Sequence, residues 1–389
     1  MVDLFLLDSN LNQLYIVDSY ESLIWVTRYN DNGDCEIKTS ANYNILKMFK
    51  ECTYITREDD DMVCRIEKIE LVTDVEEGDY LIVTANDCKK ILEQRIVWKQ
   101  TNFNGKVEDY IRKLINDNII NPTLTSRKIN NFTLDTKKNF TETINQQVSY
   151  DNLGSKIQEL CKTYSWGDKV TINNSKQFVF SLYKGTDRSA YVQFSDDYEN
   201  LAATNYSEDI SDIANTALVA GEGEGVDRIT TTVGNETGID RYELYVDARD
   251  VSKSIDYDEL TASYPNGMEV TSGDIIYYQV DGVNIAILTK NEEGEVDSVT
   301  LTDTIYNDIL VSNGEEGLAE HVVTTTFTGE IEPNYTFTYK KDYFLGDIVV
   351  IKNHYGIEED VRITEIMETF DSNGYNIEPS FEYLETGGE

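Results

Sequence analysis

The sequence has few of the residues that mark a disordered or proline-rich chain. Among 389 residues only 4 are proline, whereas 40% are apolar and 26 are tyrosine. Disordered segments show the opposite bias, so we expect a folded chain almost throughout. At roughly 100–200 residues per domain, this length predicts about two to four domains.

Cysteine is scarce too, and it forms no CxxC pair and no cluster with histidine. The five cysteines are Cys35, Cys52, Cys64, Cys88 and Cys161. An odd number in a long chain predicts reduced, mostly buried thiols. The first residues are acidic where a signal peptide is basic, and no apolar run approaches the roughly 20 residues of a membrane span. We therefore expect synthesis in a cytoplasm without targeting.

Basic residues are strongly outnumbered. The chain has 33 bases against 72 acids, a net charge of −39, and residues 191–330 hold 30 acids but only 5 bases. Such a surface repels phosphate, which argues against ordinary binding to nucleic acids or anionic membranes. The excess is either a solvated surface or a surface that must not adhere to something negative.

Signatures of catalysis are missing. The two histidines, His321 and His354, lie in different segments, and the sequence has neither an HExxH nor a GxSxG motif. A nucleophilic site needs a base beside its nucleophile, and the sequence offers no such pair. The glycine-rich stretch 221–225 lacks the Lys-Ser/Thr of a P-loop and carries two carboxylates, which disfavours phosphate binding.

Acidic residues give no specific signal for a site either. Neighbouring carboxylates such as Asp196 and Asp197, or Glu292 and Glu293, are expected by chance in so acidic a chain. A calcium site is conceivable at residues 59–61 or 291–297, but neither has EF-hand spacing. We predict no catalytic, cofactor-binding or metal-ligating residues, no cofactor, and no enzymatic activity.

Alternating apolar and polar residues predict strands through most of the chain. Strands are predicted at 14–17 and 23–29, with a hairpin turn at 30–34, and a further strand pair at 62–73 and 79–84. A Gly-Asp pair precedes an apolar or alternating run at 78–79, 273–274 and 346–347, with a fainter copy at 167–168. Glycine supplies the turn conformation and aspartate bonds back to the turn backbone. The repeats weakly indicate recurring sheet or barrel units.

Two helices interrupt this pattern. Apolar residues at helical spacing predict a helix over 107–119, ended by Asn121-Pro122, and a second over 153–164. Alternation then returns from 177 to 194, with a hairpin predicted at 184–187, and a flexible acidic turn is predicted at 221–225. The last predicted strands cover 346–352, 361–369 and 375–381, with a turn at 371–374.

Passages spread along the whole chain, in order, carry a resemblance to a known family. Residues 17–29 followed by 33–37, residues 217–228 and 241–250, and the closing residues 342–350 with 362–366 resemble the siphophage tail-tip hub proteins, which are related to the N-terminal part of tail-associated lysins.

This resemblance implies a β-rich α+β, multi-domain hub with two tube-like β-barrels and inserted domains containing short helices. The expected parts are a first barrel at 1–100, an inserted α+β segment at 101–190, an acidic β-rich segment at 191–334 belonging to the second barrel or an insert, and closing barrel strands at 335–389. Because the chain ends soon after the last strand pair, no built-in lysin or fibre is expected.

The same resemblance implies a structural protein at the virion tail tip. A homotrimer would match the hexameric tail tube and contact the tail tube, distal tail, tape measure and receptor-binding or fibre proteins, while DNA crosses the lumen without specific binding. An acidic lumen would let DNA slide past. Two alternatives stay open: an enzyme that degrades host-surface glycans, and a receptor-binding adhesin whose aromatic residues stack on sugars.

Overall fold

The computed structural model describes residues 2–74, 78–331, 336–356 and 358–384. It is β-rich with short helices and several sheets, which confirms the predicted fold class at that level. Within these residues the strand pairing leaves every sheet open, so the two tube-like barrels stay a prediction.

The first segment is a set of antiparallel strands with two short helices. The hairpin predicted at 30–34 is confirmed, since Val26 pairs with Asp34 across it. The strand pair predicted at 62–73 and 79–84 is confirmed as well, although residues 75–77 of its turn lie outside the described residues. The elements are β1 Leu4–Leu7, β2 Gln13–Val17, β3 Ser22–Arg28, β4 Asp34–Ser40, α1 Tyr43–Glu51, β5 Tyr54–Arg57, β6 Val63–Asp74, β7 Gly78–Asp87 and α2 Lys90–Glu93.

The middle segment contains both predicted helices. The first is α-helical to Ile115 and ends in a π-helical turn, Asn116–Ile120, just before Pro122. The second begins at Asn152, whose side chain accepts a hydrogen bond from the Ser155 backbone N–H. The elements are β8 Thr101–Lys106, α3 Val107–Ile115, β9 Phe132–Leu134, β10 Thr143–Val148, α4 Leu153–Thr163, β11 Gly167–Ile172 and β12 Phe178–Tyr183.

The hairpin predicted at 184–187 is wrong. Strand β12 pairs with β11 and β9, and the chain then leaves that sheet. Asp187 forms a parallel bridge with Ile348, because the backbone of Gly185 and Thr186 packs on the distant Gly346-Asp347 turn. A long-range contact therefore replaces the local turn.

The acidic segment holds a three-stranded sheet, a four-stranded meander and the longest helix, α6. None of the helices in the described part of the chain is long and apolar enough to cross a membrane. The elements are β13 Gln193–Ser195, β14 Leu201–Asp209, β15 Thr216–Ala220, β16 Thr230–Val233, β17 Glu243–Asp247, α5 Tyr257–Ser263, β18 Met268–Ser272, β19 Ile275–Val280, β20 Val283–Lys290, β21 Val296–Leu301, α6 Asp303–Ala319 and β22 Thr324–Ile331.

The predicted closing strands are confirmed as β23 Ile348–Lys352, β24 Glu358–Asp371 and β25 Gly374–Tyr383. Strand β24 pairs antiparallel with β3 of the first segment, with Ile366 opposite Thr27. The two parts of the chain thereby share a 13-stranded sheet, whose main path runs β14-β22-β25-β24-β3-β4-β7-β6-β5-β1-β2, with β13 and β23 branching from β24. In the described chain, β2 and β14 are the edges of that path.

Four apolar clusters stabilise these layers. One fills the first segment, one lies under the closing strands, and one joins α6 to the sheets of the acidic segment. The fourth joins the middle segment to Leu7, Val63 and Cys88 of the first. All five cysteines are buried and free, as predicted.

Candidate functional site

The residues examined for chemistry in the sequence are dispersed. His321 follows α6 and places its Nδ1 3.2 Å from Asp212 Oδ2, whereas His354 contacts the ring of Tyr355. In the turn at 221–225, the Glu222 backbone N–H donates to Tyr306 Oη and the Glu222 carboxylate accepts from the Lys253 N–H. The described residues contain no group of three or more potential ligands placed to hold a metal.

The two calcium candidates have other roles. Residues 291–297 include the turn between β20 and β21, where the Asn291 side chain accepts hydrogen bonds from the N–H groups of Glu293 and Glu295. Residues 59–61 pair with cations of three different segments, as described below. Asp197 pairs with Lys352 at 3.2 Å.

Tyr29 lies where three parts of the chain meet, and it is fully buried. Its hydroxyl donates to Ser165 O at 3.0 Å and accepts from the Gly185 N–H at 3.2 Å. Two of the Gly-Asp pairs pack on its ring, because a Cβ on Gly167 or Gly346 would overlap Tyr29. Burial raises the pKa of Tyr29. The start of β11 at 167–168 and the turn at 346–347 therefore share one aromatic contact.

The aspartates of these two Gly-Asp pairs bond to neighbouring segments, and the buried Lys89–Asp168 ion pair is the first of three such links, which we call clamps. Asp168 accepts from Lys89 Nζ at 3.2 Å, and both side chains are buried. Asp347 accepts from the Thr186 N–H at 2.7 Å and pairs with the Arg188 guanidinium. Asp87 lies beside the first clamp. Burial raises the pKa of Asp87 to about 6, although the positive charge of Lys89 lowers it.

A second clamp is centred on Arg57, whose side chain is completely buried. Its Nη2 lies 2.6 Å from Glu368 Oε2 on β24, and its Nε lies 2.6 Å from Asp59 Oδ1. Lys340 adds a bond of 2.7 Å to Asp60 Oδ2. Burial pushes the pKa of Asp60 up, but Lys340 and Arg57 outweigh it and hold that pKa below its usual value.

A cleft of about 520 Å³ opens between these clamps. Acids, bases and aromatic rings line it together, and several of its charged side chains form ion pairs with one another. Asp61, for instance, pairs with Lys169 at 3.0 Å. Its lining includes Asp60, Lys340, Asp168, Arg188, Tyr183 and Phe344. The arrangement is suited to holding three segments together.

A third clamp ties α6 to the middle segment. Glu316 accepts from Lys156 Nζ at 2.7 Å and from the Gln146 side chain, and both Glu316 and Lys156 are buried. Glu159 lies 3.3 Å from the same ammonium group, and burial raises its pKa to about 7. Buried ion pairs therefore join the first segment to the middle segment, the first segment to the closing strands, and α6 to the middle segment.

Sequence reasoning missed these clamps. The one usable local signal is the alternation of β5, which places Arg57 on the same buried face as Ile55. Lys89 and Lys156 carry no such signal, since their partners lie 79 and 160 residues away.

Comparisons with known proteins place this arrangement in a family. Residues 3–381 match the model of the Siphovirus ReqiPepy6 Gp37-like protein family. The fold is similar to a tail protein from Neisseria meningitidis MC58, with a TM-score of 0.51, 9% identity, and 98% of this chain and 97% of that chain covered. It is also similar to the 43 kDa tail protein of prophage MuSo2 from Shewanella oneidensis, with a TM-score of 0.51, 10% identity, and coverage of 97% and 98%.

The search of curated proteins gave no match. Since the family model spans nearly all of the sequence and the fold is that of phage tail proteins, the chain belongs to the Siphovirus ReqiPepy6 Gp37-like protein family.

Proposed function

We propose that this protein is a tail-tip or baseplate hub that caps the tail tube, links it to the distal tail and receptor-binding apparatus, and lets DNA pass into the host. The observation that carries the proposal is the 13-stranded sheet, which is built from both ends of the described chain and is open at β2 and β14. Open edges present unpaired backbone N–H and C=O groups, which proteins normally cover or pair.

In this proposal, neighbouring copies of the chain cover the open edges of the sheet. Strand β2 exposes two apolar side chains at alternate positions, Leu14 at 45% and Ile16 at 51%. An exposed apolar edge strand favours association over a free monomer. Three copies would place six sheet halves around one axis, which matches a hexameric tube. The two tube-like barrels would then be a unit of residues 1–100 and a unit closed by residues 335–389, with 101–190 inserted and 191–334 belonging to the second barrel or to an insert.

The acidic surface supplies the second part of the proposal. A bore lined by carboxylates repels the DNA backbone, so the polymer crosses without condensing on the wall. We place acids of residues 191–330 at this bore. The tape measure, tube, distal tail and fibre proteins are the proposed neighbours, and the protein is proposed to have no enzymatic role.

Reconstruction of the tail tip by electron cryomicroscopy tests the hub directly. The expected result is three copies of this chain around a central hole near the width of the tube, with β2 and β14 at subunit contacts. A single copy on the side of the tail, or a bore that is neutral or basic with the acids of 191–330 facing outward, would overturn the respective part of the proposal.

The edge contact has its own test. Leu14→Lys with Ile16→Lys is expected to abolish threefold density while the isolated chain keeps its melting temperature. Ile287→Lys is the control, because Ile287 is 37% exposed on β20 and is paired on both sides, with Tyr277 of β19 and Thr300 of β21. Loss of threefold density in the control alone would argue against the edge. Turnover of host envelope glycans by the purified chain would overturn the non-enzymatic role.

A further inference from the structure

Two turns of the acidic segment share one sequence pattern. They are Gly225-Val226-Asp227-Arg228 and Gly238-Ile239-Asp240-Arg241. Each contains one turn of 3-10 helix that starts on a glycine with positive φ, 57° at Gly225 and 69° at Gly238. Each leads into a strand, β16 or β17. The similarity extends to Val233 and Val246, which follow the two arginines at the same distance and pack on the same core.

The aliphatic residue of each turn projects fully into solvent. Val226 is 100% exposed and Ile239 is 92% exposed. Single exposed apolar residues are ordinary, but a pair at equivalent positions of two matching turns is not explained by packing, since neither side chain contributes to the core. The two residues bracket further exposed apolar surface, with Leu218 at 46% and Tyr245 at 56%.

The arginine side chain of each turn holds the backbone near that turn in place. Arg228 donates to the carbonyls of Gly221 and Ala220 at 3.0 and 2.7 Å, and to Tyr245 Oη at 2.8 Å. Arg241 donates to the Glu236 carbonyl at 2.9 Å and to Glu243 at 2.6 Å. Because these hydrogen bonds hold the backbone of each turn, the two aliphatic side chains are presented in a fixed conformation, which lowers the entropy cost of binding.

The sheet sets the distance between the tips. Strand β15 lies between β16 and β17, and it pairs Ala220 with Thr230 at one end and Thr216 with Glu243 at the other. The two turns therefore lie at opposite ends of a five-residue strand, on the order of 15 Å apart at the usual rise per residue. The inner face of this sheet packs on α6, whereas Leu218 and Tyr245, at the centre of its outer face, are exposed.

Charge identifies the kind of partner that this surface fits. Exposed carboxylates surround both tips: Glu222, Glu224, Asp227, Glu236, Asp240 and Glu243. A second copy docking through the same face would bring the same carboxylates to the contact, and an anionic lipid surface is repelled in the same way. A surface of positive charge is the complement.

We propose that this face, which we call the twin-turn platform, is the docking site of a different, basic tail protein that receives Val226 and Ile239 in two apolar pockets set among lysines and arginines. The inference rests on the proposed role as a tail hub and adds the chemistry of one neighbour. Aliphatic anchors within a polar rim are the usual anatomy of such a contact.

Site-specific photo-cross-linking in assembled particles tests the platform. Benzoylphenylalanine is placed at Val226 or Ile239, with Val283 as the control, since Val283 is 53% exposed on the separate sheet of β18–β21. Both platform positions are expected to cross-link to the same other virion protein, in peptides that carry more Lys and Arg than Asp and Glu, and Val283 is not. Cross-links to other copies of this chain, to lipid, or to nothing would overturn the proposal.

A double variant separates docking from folding and from hub assembly. Val226→Ser with Ile239→Ser is expected to lower infectious titre at least tenfold and to remove the cross-linked protein from tails, while the melting temperature and threefold hub density are retained. Val283→Ser is expected to leave the titre unchanged. Unchanged infectious titre and unchanged tail composition in the double variant would overturn the platform proposal alone. Absence of this chain from the tail tip of unmodified particles would instead overturn the hub role.

Discussion

Arg57 and Glu368 are 311 positions apart in sequence, yet their side chains meet at 2.6 Å inside the shared sheet. The guanidinium lies between the rings of Trp25 and Phe370, 5.3 and 5.4 Å from their centroids, and Tyr375 donates to the other oxygen of Glu368. The contact joins the first and last segments.

Removing the cation of this pair is expected to be costly. Arg57→Met leaves Glu368 buried without its main partner, which typically costs about 3–5 kcal/mol of unfolding free energy. Arg57→Met with Glu368→Leu is expected to recover more than half of that loss, because no unpaired charge stays buried. Urea denaturation of the three proteins measures this. A single variant within about 1 kcal/mol of the parent would show that the pair is unimportant.

The glycine at the Tyr29 junction is expected to be intolerant of a side chain. Gly346 and Gly356 both have φ of +90°, but a Cβ meets the Tyr29 ring only at Gly346 and meets nothing within 4 Å at Gly356. Gly356→Ala therefore measures backbone strain alone, about 1 kcal/mol. Gly346→Ala is expected to lose a further ~1–3 kcal/mol from overpacking. Equal losses in thermal or chemical unfolding would contradict the contact.

Asp87 makes stability depend on pH in a predictable direction. Burial raises its folded pKa from 3.8 to about 6, so the folded protein binds this proton more tightly than the unfolded chain does. Its contribution is fully present below about pH 4 and is lost as pH rises through about 6. Asp87→Asn keeps an acceptor for the Lys89 N–H but stays neutral.

We therefore expect Asp87→Asn to gain stability relative to the parent as pH rises from 4 to 7, by on the order of 2 kcal/mol. Urea midpoints at several pH values give the difference curve. The groups facing Asp87 are Lys89 and Asp168, so Asp168→Asn is a control for their own titration. A difference curve that is flat, or that falls with pH, would refute the assignment.

The clamp between α6 and the middle segment should behave as a unit. Lys156→Met is expected to cost about 3–5 kcal/mol, because it leaves the buried Glu316 without its cation and next to a second acid, the partly exposed Glu159. Hydrogen exchange should then rise in α6 and in β10. Lys162→Met is the control, since Lys162 lies on the same helix and its side chain is exposed. Equal exchange in both variants would refute the clamp.

Local patterns predicted strands such as β3, β6, β7, β24 and β25, because their alternation and turn residues are encoded within a few positions. Helix α6 was not predicted, since Gly314 and Gly317 interrupt a helical pattern; the structure uses them for close approach to Val219 and Val246. The hairpin at 184–187 was predicted wrongly because this segment makes a long-range contact. Its true partner, the Gly346-Asp347 turn, lies some 160 residues away, beyond any local signal.

The candidate site was less predictable than the fold. Residues 17–29 are among the passages that carried the family resemblance, but nothing in them shows that two Gly-Asp pairs pack on Tyr29. The matching turns at 225–228 and 238–241 are visible in the sequence, yet only the structure shows that Val226 and Ile239 are the exposed members of the pattern.

The pairing of β3 with β24 sets the order in which the shared sheet can form during synthesis on the ribosome. Strand β3 leaves the ribosome early and pairs with β4, but its other side waits for residues 365–370. At about 5–20 residues per second, that delay is on the order of 20–60 seconds. For that time an apolar, half-paired strand is exposed in the cell, so chaperone capture during synthesis should centre on β3.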